Sequence, residues 1–327
     1  MLVLEERAQR PLLMFPGQGS QRPGMATELL DRYPDTAGPV FDLADDVLGL
    51  PLTDLCRTGS ADDLRRTEIT QPAILATSLA ILAVLRSRGL EPSAVAGHSL
   101  GEYGALVAAG VLTPASALQL VRRRGELMAQ AAGRPGEAPG AMAAIIGLPA
   151  DRVEELCAEV DDGGVVEIAN YNEPFQTVVS GHTASVDRLR RSALNVGAER
   201  VVNLLVGAPF HSRLMAGPER EFGTELRRHS FAEPKAPVFS AVTAGYVLSA
   251  EHARRLLGTQ LTAPVRWVET LRRAVEDGYR PLVEIGPGRV LTGSAKRIVP
   301  ELPVYGSGNA RAIETVARNL GKFVQTA

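Results

Sequence analysis

Ser99 stands in Gly97-His98-Ser99-Leu100-Gly101, a Gly-x-Ser-x-Gly turn between the apolar run Ala94-Val95-Ala96 and a stretch opening on Glu102-Tyr103. A strand-to-helix turn this tight tolerates little beyond glycine at its flanks and holds the serine hydroxyl exposed at the edge of a sheet. The helix that follows points its N-terminus at that oxygen. Backbone N–H groups there, Leu100 first among them, can stabilise negative charge developing on a substrate. The chemistry such a serine would serve is acyl transfer through a serine ester. A capping serine in an ordinary turn is the plainer reading of the same residues.

A nucleophilic serine needs a base, and the chain has five histidines: His98, His182, His211, His229 and His252. His98 adjoins the serine, so its side chain points away, as a structural histidine. His182 lies in the turn Gly181-His182-Thr183, while His229 and His252 sit in polar helical stretches. His211 follows Val206-Gly207-Ala208-Pro209-Phe210, where the chain returns from a smaller unit to a larger one. A cleft belongs at such a junction, which makes His211 a candidate general base, with a structural histidine as the equal alternative. The glycine-rich loop Phe15-Pro16-Gly17-Gln18-Gly19-Ser20-Gln21 lacks the spacing of a nucleotide-phosphate loop. Following the first strand, it can supply a second oxyanion N–H from Gln18.

A cation on an apolar face is the third signal. From Pro114 the i, i+3, i+4 rule places Ala117, Leu120, Val121, Arg124, Leu127 and Met128 on one stripe, with Arg122 and Arg123 towards the flanks. A buried guanidinium without a partner is costly. Arg124 pairs either with an acidic side chain of this protein or with a substrate carboxylate held by two parallel hydrogen bonds.

The elements that must position these residues alternate along the chain. Pro11 to Phe15 reads as a buried strand and Gln71 to Arg88 as an apolar helix. Ala94 to Ala96 reads as a strand, Glu102 to Ala109 as a helix, and Thr113-Pro114 as the cap and first residue of a helix reaching about Ala132. The loop Gly133 to Gly140 closes that half. Then come strand Ala141–Leu148, helix Ala150–Val160, strands Val165–Asn170 and Thr177–Ser180, helix Thr183–Asn195 and strand Arg200–Val206. This β-α-β-β-α-β order is the ferredoxin-like pattern. Alternation resumes with a strand at Pro237–Val242, a helix from about Val265, a strand at Leu282–Ile285 and a segment at Val290–Ile298. The expected architecture is α/β: residues 1–139 and 207–327 form a large unit with a mainly parallel sheet, into which a small unit, 140–206, is inserted.

Composition bounds the function. The 327 residues are 45% apolar and 22% charged, with a net charge of −2. That balance lacks the basic excess of a nucleic-acid-binding protein. Cys56 and Cys157 have no CxxC spacing and read as packing residues. No apolar run reaches the roughly 18 residues of a membrane span, and Met1 to Arg10 lacks a signal-peptide pattern. A cytoplasmic monomer is the expectation.

Taken in order, Phe15-Pro16-Gly17-Gln18-Gly19-Ser20-Gln21, Gly97-His98-Ser99-Leu100-Gly101-Glu102-Tyr103, Arg124-Gly125-Glu126-Leu127-Met128, Phe210-His211-Ser212 and Glu284-Ile285-Gly286-Pro287-Gly288 resemble the malonyl-CoA:acyl-carrier-protein transacylase family, from about Leu12 to Tyr305. The resemblance implies an α/β-hydrolase-like large domain and a ferredoxin-like small one. It implies Ser99 as nucleophile, His211 as base, and Gln18 and Leu100 as oxyanion donors. Arg124 becomes the ligand of a malonyl carboxylate, with Gln71 and Met128 along the acyl pocket and Asn170 on the small-domain side of the cleft. A main-chain carbonyl near Ala263-Pro264-Val265-Arg266-Trp267, with that of Arg266 the first choice, is expected to orient the histidine in place of an acid. Phe210 before the histidine favours malonyl over branched units, while Pro209 departs from polyketide relatives. The implied substrates are malonyl-CoA and an acyl carrier protein, with coenzyme A thioester as donor and no metal or redox cofactor. Arg188, Arg190 and Arg191, or Arg272 and Arg273, are candidates for meeting an acidic carrier, and solvated helix faces are the simpler account of them. Rival readings are transfer of a substituted malonyl unit, hydrolysis of carrier thioesters, and a non-catalytic docking subunit.

Overall fold

The computed structural model describes residues 10–131, 138–160 and 163–324. The lead before Arg10 and most of the loop expected at 133–140 lie outside the described residues.

Strand β1 (Leu12–Phe15) is buried at every position, as a continuous apolar run in the middle of a parallel sheet must be. Leu13 and Phe15 face one core, Leu12 and Met14 the other. Helices α1 (Thr27–Arg32), α2 (Pro34–Leu48) and α3 (Leu52–Thr58) follow, then α4 (Thr67–Arg86), strand β2 (Ala94–Gly97), α5 (Gly101–Ala108) and α6 (Pro114–Ala131). Thr113 caps α6 as expected, its hydroxyl accepting the Ser116 N–H at 3.1 Å.

Helix α4 corrects the expectation that no apolar run is long enough to span a membrane. By length and composition it is, yet it is buried along nearly its whole length. It also begins four residues earlier than expected, before Pro72. That proline cannot donate to the Glu68 carbonyl one turn back, and Arg122 of α6 donates to that oxygen instead, at 2.9 Å.

The second unit runs β3 (Gly140–Ile146), α7 (Ala150–Glu159), β4 (Val166–Glu173), β5 (Gln176–His182), α8 (Thr183–Asn195) and β6 (Arg200–Asn203). Its sheet has the order β4-β5-β3-β6, every pairing antiparallel. Ile145, Val153, Val179 and Leu189 fill the space between sheet and helices. Strand β6 stops at Asn203 rather than Val206, because Leu204 and Val206 turn inward to line a cavity.

The remaining chain forms α9 (Ala216–Leu226), β7 (Val238–Ser240), β8 (Gly245–Tyr246), α10 (Ala250–Thr259), α11 (Trp267–Glu276), β9 (Leu282–Glu284), α12 (Val290–Ile298), β10 (Val304–Gly306) and α13 (Ala310–Val324). The large sheet has the order β10-β9-β1-β2-β7-β8, parallel except for the β7–β8 edge. Register sets Phe15 beside Gly97, so the turns carrying Gln18 and Ser99 leave the same carboxyl edge of the sheet. Ligands of α/β sheets bind at that edge.

Helix α11 starts at Trp267, not Val265. Val265 is engaged with the small sheet: its N–H donates to Ala169 at 2.8 Å and its carbonyl accepts from Tyr171 at 2.9 Å. These bonds stitch the two sheets together beside Asn170.

Candidate active site

Gly97 and Gly101 explain the shape of the serine turn. A Cβ on Gly97 would fall 2.1 Å from the Glu102 nitrogen, and one on Gly101 would fall 1.9 Å from the Phe15 carbonyl oxygen. Between them Ser99 has φ 51, a left-handed conformation that a side-chain-bearing residue adopts at a cost of about 1–3 kcal/mol. The strain lifts the hydroxyl out of the sheet edge and towards His211.

Ser99 Oγ lies 2.8 Å from His211 Nε2. On the far side of the ring, Nδ1 is 3.0 Å from both the Gln260 and the Ala263 carbonyl oxygens. Two acceptors there require Nδ1 to carry the proton, so Nε2 is the acceptor and the Ser99 hydroxyl donates to it. Main-chain oxygens thus stand where an acid stands in a Ser-His-Asp triad. They are not that of Arg266, which instead accepts from the backbone and hydroxyl of Thr270 in the first turn of α11. His211 has φ 58 and is anchored by its own N–H to Leu261 at 3.0 Å.

Burial, and then the nearby Arg124 cation, push the His211 imidazole down to about 3. At that value the ring is neutral throughout the physiological range. Ring-labelled NMR is expected to find it neutral, with the proton on Nδ1, down to about pH 5. A midpoint near the ordinary histidine value of about 6.5 would mean that the ring is solvated. Because the folded value lies below the unfolded one, the same group removes stability as pH falls below about 6.5.

Arg124 is 1% exposed. Its Nη1 donates to Gln71 Oε1 at 3.0 Å, and its Nη2 to Ser99 Oγ at 3.0 Å and Gln260 Oε1 at 3.1 Å. Nε is buried with no hydrogen-bond partner. Among the described residues no carboxylate lies within 4 Å of the guanidinium, whereas most other paired arginines hold one at the surface. The internal salt bridge weighed for Arg124 is therefore not what it makes. Its flank neighbours do make one, Arg122 and Arg123 both reaching Glu126.

A cavity of about 100 Å³ opens onto these groups. Gln18, Leu100, Met128, Asn170 and Phe210 line it beside Ser99, Arg124 and His211. Among the described residues neither the Gln18 nor the Leu100 N–H is taken by a protein acceptor. Gln71, expected along the acyl pocket, is fully buried on α4, behind the guanidinium rather than on the wall, with Nε2 3.1 Å from Met128 Sδ. His98 also reaches the cavity but is occupied, its Nε2 2.8 Å from Asn172 Oδ1 and its ring edge-on to Trp267. Pro209 is seated against Gly140 at the start of β3.

Gln260, at the end of α10, was not legible beforehand. Its carbonyl holds His211, its side-chain oxygen holds Arg124, and its side-chain nitrogen reaches Ser99 O and Glu102. A glutamine in Leu257-Gly258-Thr259-Gln260 carries no motif, and only the three-dimensional path brings it here.

Residues 12–327 match the acyl transferase domain family. A malonyl CoA-acyl carrier protein transacylase of Haemophilus influenzae is 39% identical over 306 residues, covering 93% of this chain and 97% of its own. The enzyme of that name from Escherichia coli K12 is 40% identical over 290 residues, covering 88% and 93%. Among solved structures, a malonyl-transacylase in complex with a type II PKS acyl-carrier protein superposes with TM-score 0.91 at 41% identity, covering 95% of this chain and all of that one. The malonyl CoA-acyl carrier protein transacylase of Coxiella burnetii gives 0.92 at 37% identity, covering 96% and 98%. With family, relatives and fold in agreement over nearly its whole length, the chain belongs to the acyl transferase domain family, among the malonyl CoA-acyl carrier protein transacylases.

Proposed function

We propose that this protein takes the malonyl group of malonyl-CoA onto Ser99 and passes it to the phosphopantetheine thiol of an acyl carrier protein. The observation that carries the choice of acyl group is Arg124, a buried cation with no carboxylate of its own and one nitrogen already 3.0 Å from the nucleophile. The cavity beside it, on the order of three water volumes, has room for a three-carbon acyl group. The names of the relatives point the same way.

In the first half-reaction Ser99 Oγ attacks the thioester carbon while its proton passes to His211 Nε2. The carbonyl oxygen becomes an oxyanion held by the Gln18 and Leu100 N–H groups. Collapse breaks the C–S bond, and His211 returns the proton to the departing coenzyme A thiolate. The carrier thiol then gives its proton to the same nitrogen and attacks the acyl-serine, and collapse breaks the C–Oγ bond as His211 returns that proton to Ser99 Oγ. Phe210, at the cavity wall, limits room for a branch on the acyl α-carbon.

Incubation with malonyl-CoA and a phosphopantetheinylated carrier, followed by intact-mass analysis, tests the scheme. Malonyl-enzyme and then malonyl-carrier are expected. Release of coenzyme A with no acylated carrier would make the protein a hydrolase. Of the arginines considered for the carrier surface, Arg190 and Arg273 are paired with Asp187 and Asp277, which leaves less free charge there than the sequence offers.

A further inference from the structure

Glu102 has no part in the steps above, although it is buried within the catalytic centre. It lies three residues beyond Ser99 in the first turn of α5 and is 1% exposed. It makes no direct contact with Arg124. Between them stands the side-chain amide of Gln260, also 1% exposed. Its Nε2 donates to Glu102 Oε2, and to the Ser99 carbonyl oxygen at 3.2 Å, while its Oε1 accepts from Arg124 Nη2 at 3.1 Å.

Only one orientation of this amide is compatible with its neighbours. Turned over, it would set NH₂ against guanidinium donors and its carbonyl against a carboxylate, two repulsions in a buried place. Charges at the two ends therefore fix the dipole between them, and the dipole fixes the guanidinium nitrogen that also bonds Ser99 Oγ. We propose that Glu102 and the Gln260 side chain are positioning residues for acyl selection, holding Arg124 at a set place relative to Ser99 so that a short acyl group ending in a carboxylate is accepted. This rests on Arg124 receiving the acyl carboxylate. Burial pushes the Glu102 carboxyl up to about 7, against hydrogen bonds from Ser240 and Gln260 and the Arg124 charge. Those contacts are what keep an anion available inside the protein.

The test compares kcat/KM for malonyl-CoA and acetyl-CoA in Glu102→Leu and Gln260→Leu, with Arg124→Ala beside them. Every Gln260 variant keeps the main-chain oxygen that holds His211, so the base is not disturbed. Both leucine variants are expected to lower the malonyl-to-acetyl ratio by roughly tenfold or more, the scale of losing a hydrogen bond to a charged group, with malonyl transfer falling further than acetyl transfer. Glu102→Gln, which still offers an acceptor to Gln260, should restore most of the ratio. Equal losses on both substrates would reduce the pair to a structural role and overturn the proposal. If the leucine variants fail to fold, Gln260→Glu decides: a carboxylate placed directly on Arg124 should suppress malonyl transfer selectively, and an unchanged ratio overturns the proposal. An Arg124→Ala ratio equal to wild type would instead overturn the carboxylate reading of Arg124, so the two failures are distinguishable.

Discussion

Ser99→Ala is expected to abolish acyl-enzyme formation, with a fall in turnover on the order of 10⁶, the loss seen when a serine nucleophile is removed from a comparable machine. The size follows from the absence of a substitute. Ser99 is the only hydroxyl or thiol among the described residues lining the cavity, and Nε2 of the neutral imidazole is 2.8 Å from its oxygen. The cysteines do not compete. Cys56 is buried in the core, and burial pushes the thiols of both Cys56 and Cys157 up to about 12, so neither offers a thiolate. Intact mass after incubation with malonyl-CoA reads the result directly. A stable adduct that persists in the variant would place the nucleophile elsewhere.

Sequence signals carried the parts of this site that depend on tight local geometry. The Gly-x-Ser-x-Gly turn was readable because Gly97 and Gly101 are forced by backbone atoms within 2.1 Å of where a Cβ would stand. Arg124 was readable because a helix stripe exposes a charge that does not belong on it. The split β-α-β-β-α-β unit was readable from alternating apolar runs, and its helix Thr183–Asn195 lies where expected.

What escaped depends on contacts distant in sequence. Whether Gln260 or Arg266 faces His211 is decided by the loop between α10 and α11. There Val265 is drawn into β4, and Arg266 is left to begin a helix with its carbonyl already engaged. Gln71 sits on an apolar helix, and nothing local shows whether it faces the cavity or stands behind it. Helices α1 to α3, α9 and α13 were also missed, and α10 was read only as an unbounded polar helical stretch around His252. The sequence of α2 carries Gly38 and Pro39 in mid-helix, residues that ordinarily argue against one, and packing of Ala37, Phe41 and Ala44 overrides them. Strands β8 and β10 are too short, at two and three residues, to show a period.

Arg124→Ala is expected to lower kcat/KM for malonyl-CoA by about 10²–10³, the effect of truncating one partner of a buried, hydrogen-bonded charge pair. Acetyl-CoA should lose far less, so that the preference for malonyl collapses. The asymmetry has a physical origin. On the proposed reading, an acetyl group leaves a buried cation with no carboxylate in contact, whereas a malonyl carboxylate supplies one and gives the unpartnered Nε–H an acceptor. Removing the guanidinium removes both the reward for a carboxylate and the penalty for its absence. Some loss with acetyl is still expected, because Nη2 lies 3.0 Å from Ser99 Oγ and favours negative charge on that oxygen as it attacks. Malonyl and acetyl acylation rates measured separately by rapid quench and intact mass provide the comparison. Equal losses on the two substrates would leave Arg124 assisting the nucleophile without choosing the acyl group. A loss confined to malonyl would make the missing internal salt bridge the basis of selectivity: the protein leaves this cation unpaired, and the substrate completes the pair.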